Sequence, residues 1–353
     1  MSEQSRFTQQ ATLGVATNGD GPPAEPGDQA TAQSAGRVAV RELADGRVAG
    51  AFVVRAHEVR QKRNGEDFLQ LTLADSSGQV KAICWELVED RVAVCAPGAV
   101  VWVRGEFRDD PRFGPGITIR ELRTAERDEY DLADLTPSGD VPFERLEAGL
   151  RELLATIQNP HLRELLDRFF GEGSPTWQRF REAPAAKYYH QAFRHGLLDH
   201  TLSVAQTVSA SASAFPGIDR DIAVTGALLH DIGKTQAYND DPLAIDLTDA
   251  GRLQGEIPLG YYVVRRTIEE IPGFDPSLAQ AVLHIILSHH GSYENGSPVV
   301  SATREATLVH AIDNLGGKLG SFDRIERELP DGAEWSRFDR GIDSAAYFGA
   351  RAA

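Results

Sequence analysis

Residues 64–84, NGEDFLQLTLADSSGQVKAIC, decide the fold of the N-terminal half of this chain of 353 residues. The pairs Asn64-Gly65 and Ser77-Gly78 predict turns, because Asn and Gly readily adopt the positive φ angles that tight hairpins need. Between them, DFLQLTLAD alternates apolar and polar residues with one extra apolar position, which predicts a strand buried on much of both faces. QVKAICWEL continues as the next strand after the second turn.

Three further strand-like runs surround this hairpin: GRVAGAFVVRAHEV (46–59), AVVWVRGEF (99–107) and GPGITIREL (114–122). Five short strands in one small segment predict a five-stranded β-barrel of the OB type over residues 37–125. From residue 143 onward the apolar period becomes helical, as in FERLEAGLRELLATI. The predicted fold class is therefore a multidomain β + α protein, an OB-type β-barrel followed by an all-α helical bundle over residues 143–353.

The two remaining segments have the composition of a tail and a connector. Residues 1–36 are rich in Gly, Pro, Ala, Thr and Gln and lack hydrophobic periodicity, which predicts a disordered tail. Residues 126–142, ERDEYDLADLTPSGDVP, are acidic and contain two prolines, which predicts a linker. A length of 353 residues agrees with two folded domains at about 100–200 residues each.

The charge distribution bears on the partners that the chain can bind. Its 36 Lys and Arg residues stand against 52 Asp and Glu residues, and the net charge of −16 disfavours a polyanionic partner. Residues 37–125 are nearly neutral, with 14 basic and 13 acidic side chains, so a nucleic-acid contact is expected to start there. No apolar run approaches the ~18 residues of a membrane span, and two cysteines cannot form a disulfide framework. We therefore expect a cytoplasmic protein without membrane contact.

Histidines are concentrated in the helical half, where seven of the ten lie between residues 190 and 290. His230 and Asp231 are adjacent in ALLHDIGKT and point about 100° apart on a helix, so one ion can take both only with ligands from other helices. Imidazole and carboxylate suit Mn²⁺, Fe²⁺, Co²⁺, Ni²⁺ or Zn²⁺. Further candidate ligands stand in other helical runs: His200, His289, His290 and Asp313.

Structural roles are the alternative for each of these residues. His230 and Asp231 could cap a helix, and His289 and His290 could end one, where a histidine complements the helix dipole. Lys234 is favourable just beyond a helix C-terminus without any part in catalysis. His284 and His310 lie in apolar helical runs, so we expect packed or supporting groups there rather than ligands.

The order of these residues, His…His-Asp…His-His…Asp, is similar to the signature of the HD phosphohydrolase superfamily. More narrowly, the chain resembles the YhaM-type 3′-to-5′ exoribonucleases, which join an OB-fold to an HD domain. The resemblance extends over roughly residues 37–350. Its segments are RQKRNGEDFLQLTLADSSGQVKAICWE, APAAKYYHQAFRHGLLDHTLSVA, ALLHDIGK, HIILSHHGSYENGSPVVSATREATLVHAIDNL and WSRFDRGIDSAAYFG.

The resemblance implies specific roles for the site residues. Asp231 and Lys234 would be catalytic, with Lys234 beside the scissile phosphate. His190 and His195 would contact substrate on the approach to His200. The implied metal ligands are His200, His230, Asp231, His289, His290 and Asp313.

A divalent cation is the implied cofactor, with Mn²⁺ expected first and Co²⁺, Fe²⁺, Ni²⁺, Mg²⁺ and Zn²⁺ as alternatives. One ion is expected, and a second depends on position 261. The family has a Gly-His pair that completes the second site, whereas this chain has IPLGYYVV, with Tyr261 in the expected place of that histidine. A phenol is a poor ligand near neutral pH because its unperturbed pKa is about 10. Glu256 is a nearby carboxylate that could replace the missing group.

In the barrel, Arg60, Lys62 and Arg63 precede the Asn64-Gly65 turn, and aromatic residues are spread over the strands. The functional interpretation is that single-stranded bases stack on aromatic rings while basic side chains follow the phosphates. The alternative is that any individual aromatic belongs to the barrel core. The resemblance implies single-stranded RNA as the partner, with single-stranded DNA as a second candidate, and a homo-oligomer.

The predicted function is metal-dependent 3′-to-5′ exonucleolysis of single-stranded RNA to nucleoside 5′-monophosphates. The first alternative is an HD phosphohydrolase that acts on nucleotides or cyclic nucleotides, although such a substrate would not need a strand-binding barrel. The second alternative is a nucleic-acid-binding protein whose HD site has decayed.

Overall fold

Five strands form a closed barrel in the N-terminal half of the computed structural model. Its strand order is β1-β2-β3-β5-β4, with β3 and β5 parallel and the other pairs antiparallel. This order is that of a five-stranded Greek-key barrel, so the predicted OB-type fold is confirmed. The strands are β1 (Gly46–Gln61), β2 (Asp67–Ala74), β3 (Gln79–Cys84), β4 (Val100–Asp110) and β5 (Gly114–Thr124).

The structure describes residues 39–86, 89–110, 112, 114–136, 139, 141–187, 191–327, 329–330 and 332–349. The prediction of a disordered tail over residues 1–36 therefore lies outside the described residues. The same holds for His190. The proposed domain limits stay predictions. The segment predicted as a linker contains a short 3₁₀ turn, Arg127–Glu129, and a one-turn helix.

The turns that close the barrel follow from the residues that stand there. Gly65 adopts φ of +88°, which a residue with a side chain rarely tolerates. At the second turn, the Asp75 carboxylate accepts hydrogen bonds from the backbone N–H groups of Ser77 and Gly78 at 2.7 and 3.1 Å. Alternate residues of the strands fill the barrel core, among them Phe52, Leu71 and Phe107.

Helices make up most of the C-terminal half, as the period change at residue 143 predicts. Their apolar faces share one core that extends from Leu146 to Val309. Two short helices precede this half: α1 (Glu89–Ala93), between β3 and β4, and α2 (Leu132–Leu135), in the segment predicted as a linker. The helices of the C-terminal half are α3 (Phe143–Ala155), α4 (Pro160–Phe170), α5 (Pro175–Phe180), α6 (Gly196–Ala212), α7 (Arg220–Leu229), α8 (Lys234–Ala237), α9 (Asp249–Gln254), α10 (Glu256–Glu269), α11 (Pro276–Ser288) and α12 (Arg304–Arg327). Among the described residues, no helix is long and apolar enough to cross a membrane.

The loop between α8 and α9 packs against the barrel. Arg55 in β1 donates a hydrogen bond to the carbonyl oxygen of Leu243 at 2.7 Å. A Cβ added to Gly98 would come within 2.4 Å of the Cβ of Ala244, so backbone and loop approach closely there. Leu243 also packs against a small core of barrel residues that includes Val53 and Val100. The barrel and the helices are therefore in direct contact.

After α12 the chain forms a short hairpin that the helical period does not predict. Isolated bridges join Trp335 to Tyr347 and Asp339 to Ser344. The Arg324 guanidinium on α12 contacts the Asp339 carboxylate at 2.7 Å, with both side chains about one-fifth exposed. We call residues 335–347 the C-terminal hairpin.

Candidate active site

Four helices bring the histidines and carboxylates of the helical half to one place. His200 lies in α6, His230 at the end of α7, His289 at the end of α11 and Asp313 in α12. Close packing of α7 on α11 depends on Gly226, because a Cβ there would come within 2.3 Å of the Ile285 side chain. As a result the imidazole rings of His230 and His289 meet at a centroid distance of 5.0 Å.

Ligand-type atoms converge between these helices. The Nε2 atoms of His200 and His230 are 3.3 Å apart. Asp231 Oδ2 lies 3.4 Å from His200 Nε2 and 3.3 Å from His230 Nε2. Asp313 Oδ1 lies 3.1 Å from His200 Nε2 and 3.8 Å from His230 Nε2. Neighbouring ligands that bind one divalent ion at about 2.0–2.2 Å lie about 3–3.5 Å apart, and four of these five distances are in that range.

Backbone carbonyls orient the imidazoles for metal binding. His230 Nδ1 lies 2.7 Å from the Ala227 carbonyl oxygen, and His289 Nδ1 lies 2.8 Å from that of Ile286. In each ring Nδ1 donates its proton to the carbonyl, so Nε2 is the nitrogen directed at the cluster, where a metal ion would take the place of its proton. His310 supports the same region, since its Nδ1 is 2.7 Å from the His289 carbonyl oxygen.

Two buried polar atoms of the cluster, Asp231 Oδ1 and His289 Nε2, have no hydrogen-bond partner among the described residues. An unsatisfied buried polar atom costs about 1–3 kcal/mol, and more when the group is charged. A divalent cation would satisfy both atoms, so the residues fit a metal. The group His200, His230 and Asp313 can hold such an ion.

The cluster also shifts the pKa values of its members. Burial favours neutral forms, but the adjacent Asp231 carboxylate raises the pKa of His230 to about 9. Burial likewise opposes ionisation of Asp231, yet Lys234 and His230 hold the pKa of that carboxyl well below its usual range. Lys234 Nζ contacts Asp231 Oδ2 at 2.8 Å, and this pairing raises the pKa of the ammonium despite its burial. The carboxylates therefore stay ionised and favour a bound cation.

A cavity of about 430 Å³ opens onto the cluster. Asp231, Lys234 and His289 line its floor, and α12 lines one wall, where spacings of three to four residues place side chains on one helix face. The wall also includes the C-terminal hairpin through Gly341. The α12 residues on it are His310, Asp313, Asn314, Gly317, Lys318 and Ser321.

Three residues singled out from the sequence lie elsewhere. His195 precedes α6 with φ of +69° and is not one of the residues that line the cavity. Its ring is tilted against Phe143 at a centroid distance of 4.8 Å, and its Nδ1 bonds to the Arg181 carbonyl. His284 Nε2 accepts a hydrogen bond from the Ala302 N–H at 2.8 Å. Tyr261 packs against the helical core.

Glu256, at the start of α10, lies beside the cluster instead of Tyr261. Its Oε1 is 3.8 Å from His290 Nε2. The sequence offers one signal for this placement: Glu256 is a carboxylate that stands five residues before Tyr261.

On the barrel, Lys62, Phe68 and Trp85 form a basic and aromatic surface. The Phe68 and Trp85 rings are 5.0 Å apart, and Lys62 Nζ lies 5.9 Å from the Trp85 ring centroid. The Trp85 side chain is 46% exposed. Arg60 pairs with Glu58 at 2.8 Å and Arg63 is exposed, so the basic residues before the Asn64-Gly65 turn lie at the protein surface.

Comparisons with known proteins agree with this arrangement. The HD domain family matches residues 197–317, which contain every ligand-type residue of the cluster. The chain is 30% identical over 269 residues to "3'-5' exoribonuclease YhaM" of Bacillus subtilis, covering 76% of this chain and 84% of that protein. It is 29% identical over 270 residues to the protein of the same name from Geobacillus, covering 76% and 82%.

Among solved structures, the second OB-fold domain of replication protein A from Methanococcus maripaludis is 18% identical, with a TM-score of 0.20. The match covers 26% of this chain and 96% of that domain. The strand order of the barrel alone establishes the OB-type fold.

Fold and site together define the class of protein: an HD-type phosphohydrolase preceded by an OB-type barrel. Its relatives narrow this class further. The chain belongs to the family of YhaM 3′-to-5′ exoribonucleases. It is therefore an enzyme with nuclease activity.

Proposed function

We propose that the protein degrades single-stranded RNA from its 3′ end, with a divalent metal ion, and releases nucleoside 5′-monophosphates. The observation that carries this proposal is the convergence of His200, His230, Asp231 and Asp313 beside an open cavity of about 430 Å³. His200, Asp231 and Asp313 line that cavity, and His230 is buried behind them. The family relationship supports the direction of cleavage and the RNA substrate.

The residues divide the chemistry among them. His200, His230, Asp231 and Asp313 would hold the ion. Mn²⁺ is the first candidate among the ions that a mixture of carboxylate and imidazole ligands suits. A divalent ion supplies Lewis acidity and an acidified water molecule at neutral pH. Lys234 lies at the cavity floor, where its ammonium would offset negative charge that develops on the phosphoryl oxygens. Asp231 keeps that ammonium charged and in position.

The test is cleavage of 5′-labelled single-stranded RNA with added Mn²⁺ by the wild type and by Asp231→Asn. A ladder that shortens from the 3′ end and is absent with the variant is the expected result. Asp231→Asn keeps the side-chain shape, and circular dichroism checks that the variant is folded. Failure of the folded, Mn²⁺-loaded wild type to cleave RNA would contradict the proposal. A parallel panel of nucleotides and cyclic nucleotides then tests the alternative substrate class. Single-stranded DNA is assayed as the second candidate nucleic-acid substrate.

The barrel would hold the strand on the surface made by Lys62, Phe68 and Trp85. Stacking on an aromatic side chain contributes about 1–3 kcal/mol per base, so Trp85→Ala should raise the KM for RNA by about tenfold. Phe215→Ala is the matched control, because Phe215 is 57% exposed in the helical half. Equal KM values for both variants would refute a role of Trp85 in binding. A homo-oligomer and a cytoplasmic location stay predictions.

A further inference from the structure

A carboxylate completes the far side of the histidine cluster. Glu256 Oε1 lies 3.8 Å from His290 Nε2, and the two side chains are 25% and 29% exposed. His290 Nδ1 lies 2.9 Å from the Asn295 carbonyl oxygen and donates its proton there. The Nε2 lone pair of His290 is therefore free to bind a cation on the side where Glu256 lies.

Backbone packing holds Glu256 in this place. Gly233 follows Asp231 by two residues, and a Cβ at Gly233 would come within 2.0 Å of the Glu256 carbonyl oxygen and 2.5 Å of the Gly260 nitrogen. Gly255 adopts φ of +79° directly before Glu256 and so permits the sharp entry into α10. The first turn of α10 thus lies directly on the turn that carries Asp231.

The two polar atoms without partners lie toward the same side. Asp231 Oδ2 contacts His200, His230 and Lys234, whereas Asp231 Oδ1 lies 3.6 Å from His289 Nε2. Both of these remaining atoms are buried and unsatisfied. The rings of His289 and His290 meet at 4.4 Å. Asp231 Oδ1 and His289 Nε2 therefore lie beside the His289–His290 ring pair, and His290 in turn reaches Glu256.

We propose that Glu256 is a ligand of a second divalent ion, together with Asp231, His289 and His290. The proposal deepens the proposed function, since it rests on a metal-dependent site at Asp231. Gly255-Glu256 then takes the role of the Gly-His pair of related proteins, and Tyr261 has no part in it because its side chain packs against the helical core. Replacing an imidazole by a carboxylate makes the ligand set harder, which favours Mn²⁺ over softer ions.

The experiment starts from the metal-free full-length chain, which is dialysed to equilibrium against Mn²⁺. Elemental analysis then counts the Mn²⁺ ions bound per chain. We expect two ions per chain for the wild type and one for Glu256→Ala, with the second dissociation constant raised at least about tenfold. Tyr261→Phe is the matched control and should retain two ions. Glu256→His should also retain two. Electron paramagnetic resonance gives an independent reading, because two adjacent Mn²⁺ ions couple magnetically and one isolated ion does not.

Two results would overturn the proposal: a wild type that binds only one ion, or a Glu256→Ala variant that binds two with unchanged affinity. If Glu256→Ala does not fold, Glu256→Gln keeps the shape of the side chain without its charge and decides the question. Metal content is measured without RNA, so its outcome is independent of the cleavage assay. A wild type that binds two ions but does not cleave RNA would refute the proposed function and leave the role of Glu256 standing.

Discussion

The two carboxylate oxygens of Asp231 contact different neighbouring side chains. Oδ2 lies among His200, His230 and Lys234, and Oδ1 lies toward His289. A single substitution at this residue therefore changes both halves of the cluster. Variants of its neighbours separate the two halves, because each neighbour contacts only one of the oxygens within the described contacts.

Lys234→Ala should lower kcat for RNA by about 100-fold or more, because one cation that stabilises the developing phosphate charge is lost. Binding of Mn²⁺ should be retained, since removal of a positive charge beside Asp231 does not weaken cation binding. Steady-state kinetics with parallel measurement of bound Mn²⁺ checks both. Arg266→Ala is the control for loss of one charge, because Arg266 is 64% exposed on α10. An unchanged kcat would mean that Lys234 only stabilises the helix end.

Gly233→Ala should lower the free energy of unfolding by about 1–3 kcal/mol, since its Cβ would come within 2.0 Å of the Glu256 carbonyl oxygen. Gly316→Ala in α12 is the control. No atom lies within 4 Å of its added Cβ, and Ala is the better helix former by about 0.5–1 kcal/mol. Urea unfolding of the metal-free proteins measures both changes. A Gly233→Ala variant as stable as the wild type would contradict the close packing of α10 on the Asp231 turn.

At the scale of elements, the site depends on α6, α7, α11 and α12, and the apolar period of the sequence predicts all four. The candidate ligands His200, His230 and Asp313 could be predicted because they stand in these strongly periodic runs. The start of α10 could not be predicted in this way, because EIPLGYY contains Pro258 and a proline usually interrupts a helix. Pro is tolerated in the first turn, where its missing N–H would have no helical partner. The resemblance places Tyr261 at the expected histidine, with Glu256 only as a nearby carboxylate.

The C-terminal hairpin was also not predicted. Its residues show neither a long alternating run nor a tight Asn-Gly turn, and its two bridges form between residues up to twelve positions apart, Trp335 and Tyr347. Tertiary contacts with α12 stabilise it instead. A Cβ at Gly341 would come within 2.6 Å of Ser321 Oγ, so the hairpin lies directly on the helix face that lines the cavity.

Arg324→Gln should loosen the C-terminal hairpin and raise the KM for RNA by about three- to tenfold, with kcat little changed. The substitution breaks the Arg324–Asp339 pair, which at about one-fifth exposure contributes on the order of 1 kcal/mol. Arg168→Gln breaks an exposed pair on α4 and should leave both constants unchanged. Steady-state kinetics on one RNA substrate measures KM and kcat for both variants. A fall in kcat at constant KM would show instead that the substitution disturbs the histidines and carboxylates around Asp231.

At the scale of the whole molecule, the barrel is fixed to the helical half by the loop between α8 and α9. The sequence predicts the barrel and the bundle separately, from strand-like runs and from helical periodicity. It does not predict their contact, because the residues that make it, Arg55, Gly98 and Ala244, are far apart in the chain and belong to no motif. Burial lowers the pKa of Arg55, and Asp241 partly offsets this effect.

Arg55→Ala should weaken the docking of the barrel and reduce kcat/KM on long single-stranded RNA by about three- to tenfold, a loss of about 1 kcal/mol. Hydrolysis of a dinucleotide, which does not reach the barrel, should be unchanged. Arg108→Ala is the control, because Arg108 is 72% exposed and pairs only with Glu106 in the described ion pairs. An equal loss on both substrates would indicate a general defect in folding rather than in docking.

The contact of Gly98 with Ala244 also bears on the products of the enzyme. If the barrel cannot move freely relative to the cavity, an RNA that occupies both must have a minimum number of nucleotides. A fragment below that number touches the cavity alone and dissociates sooner. Digestion should therefore slow at one fragment length for RNAs of any base sequence, and that length would report the distance between Trp85 and Asp231 along the bound strand.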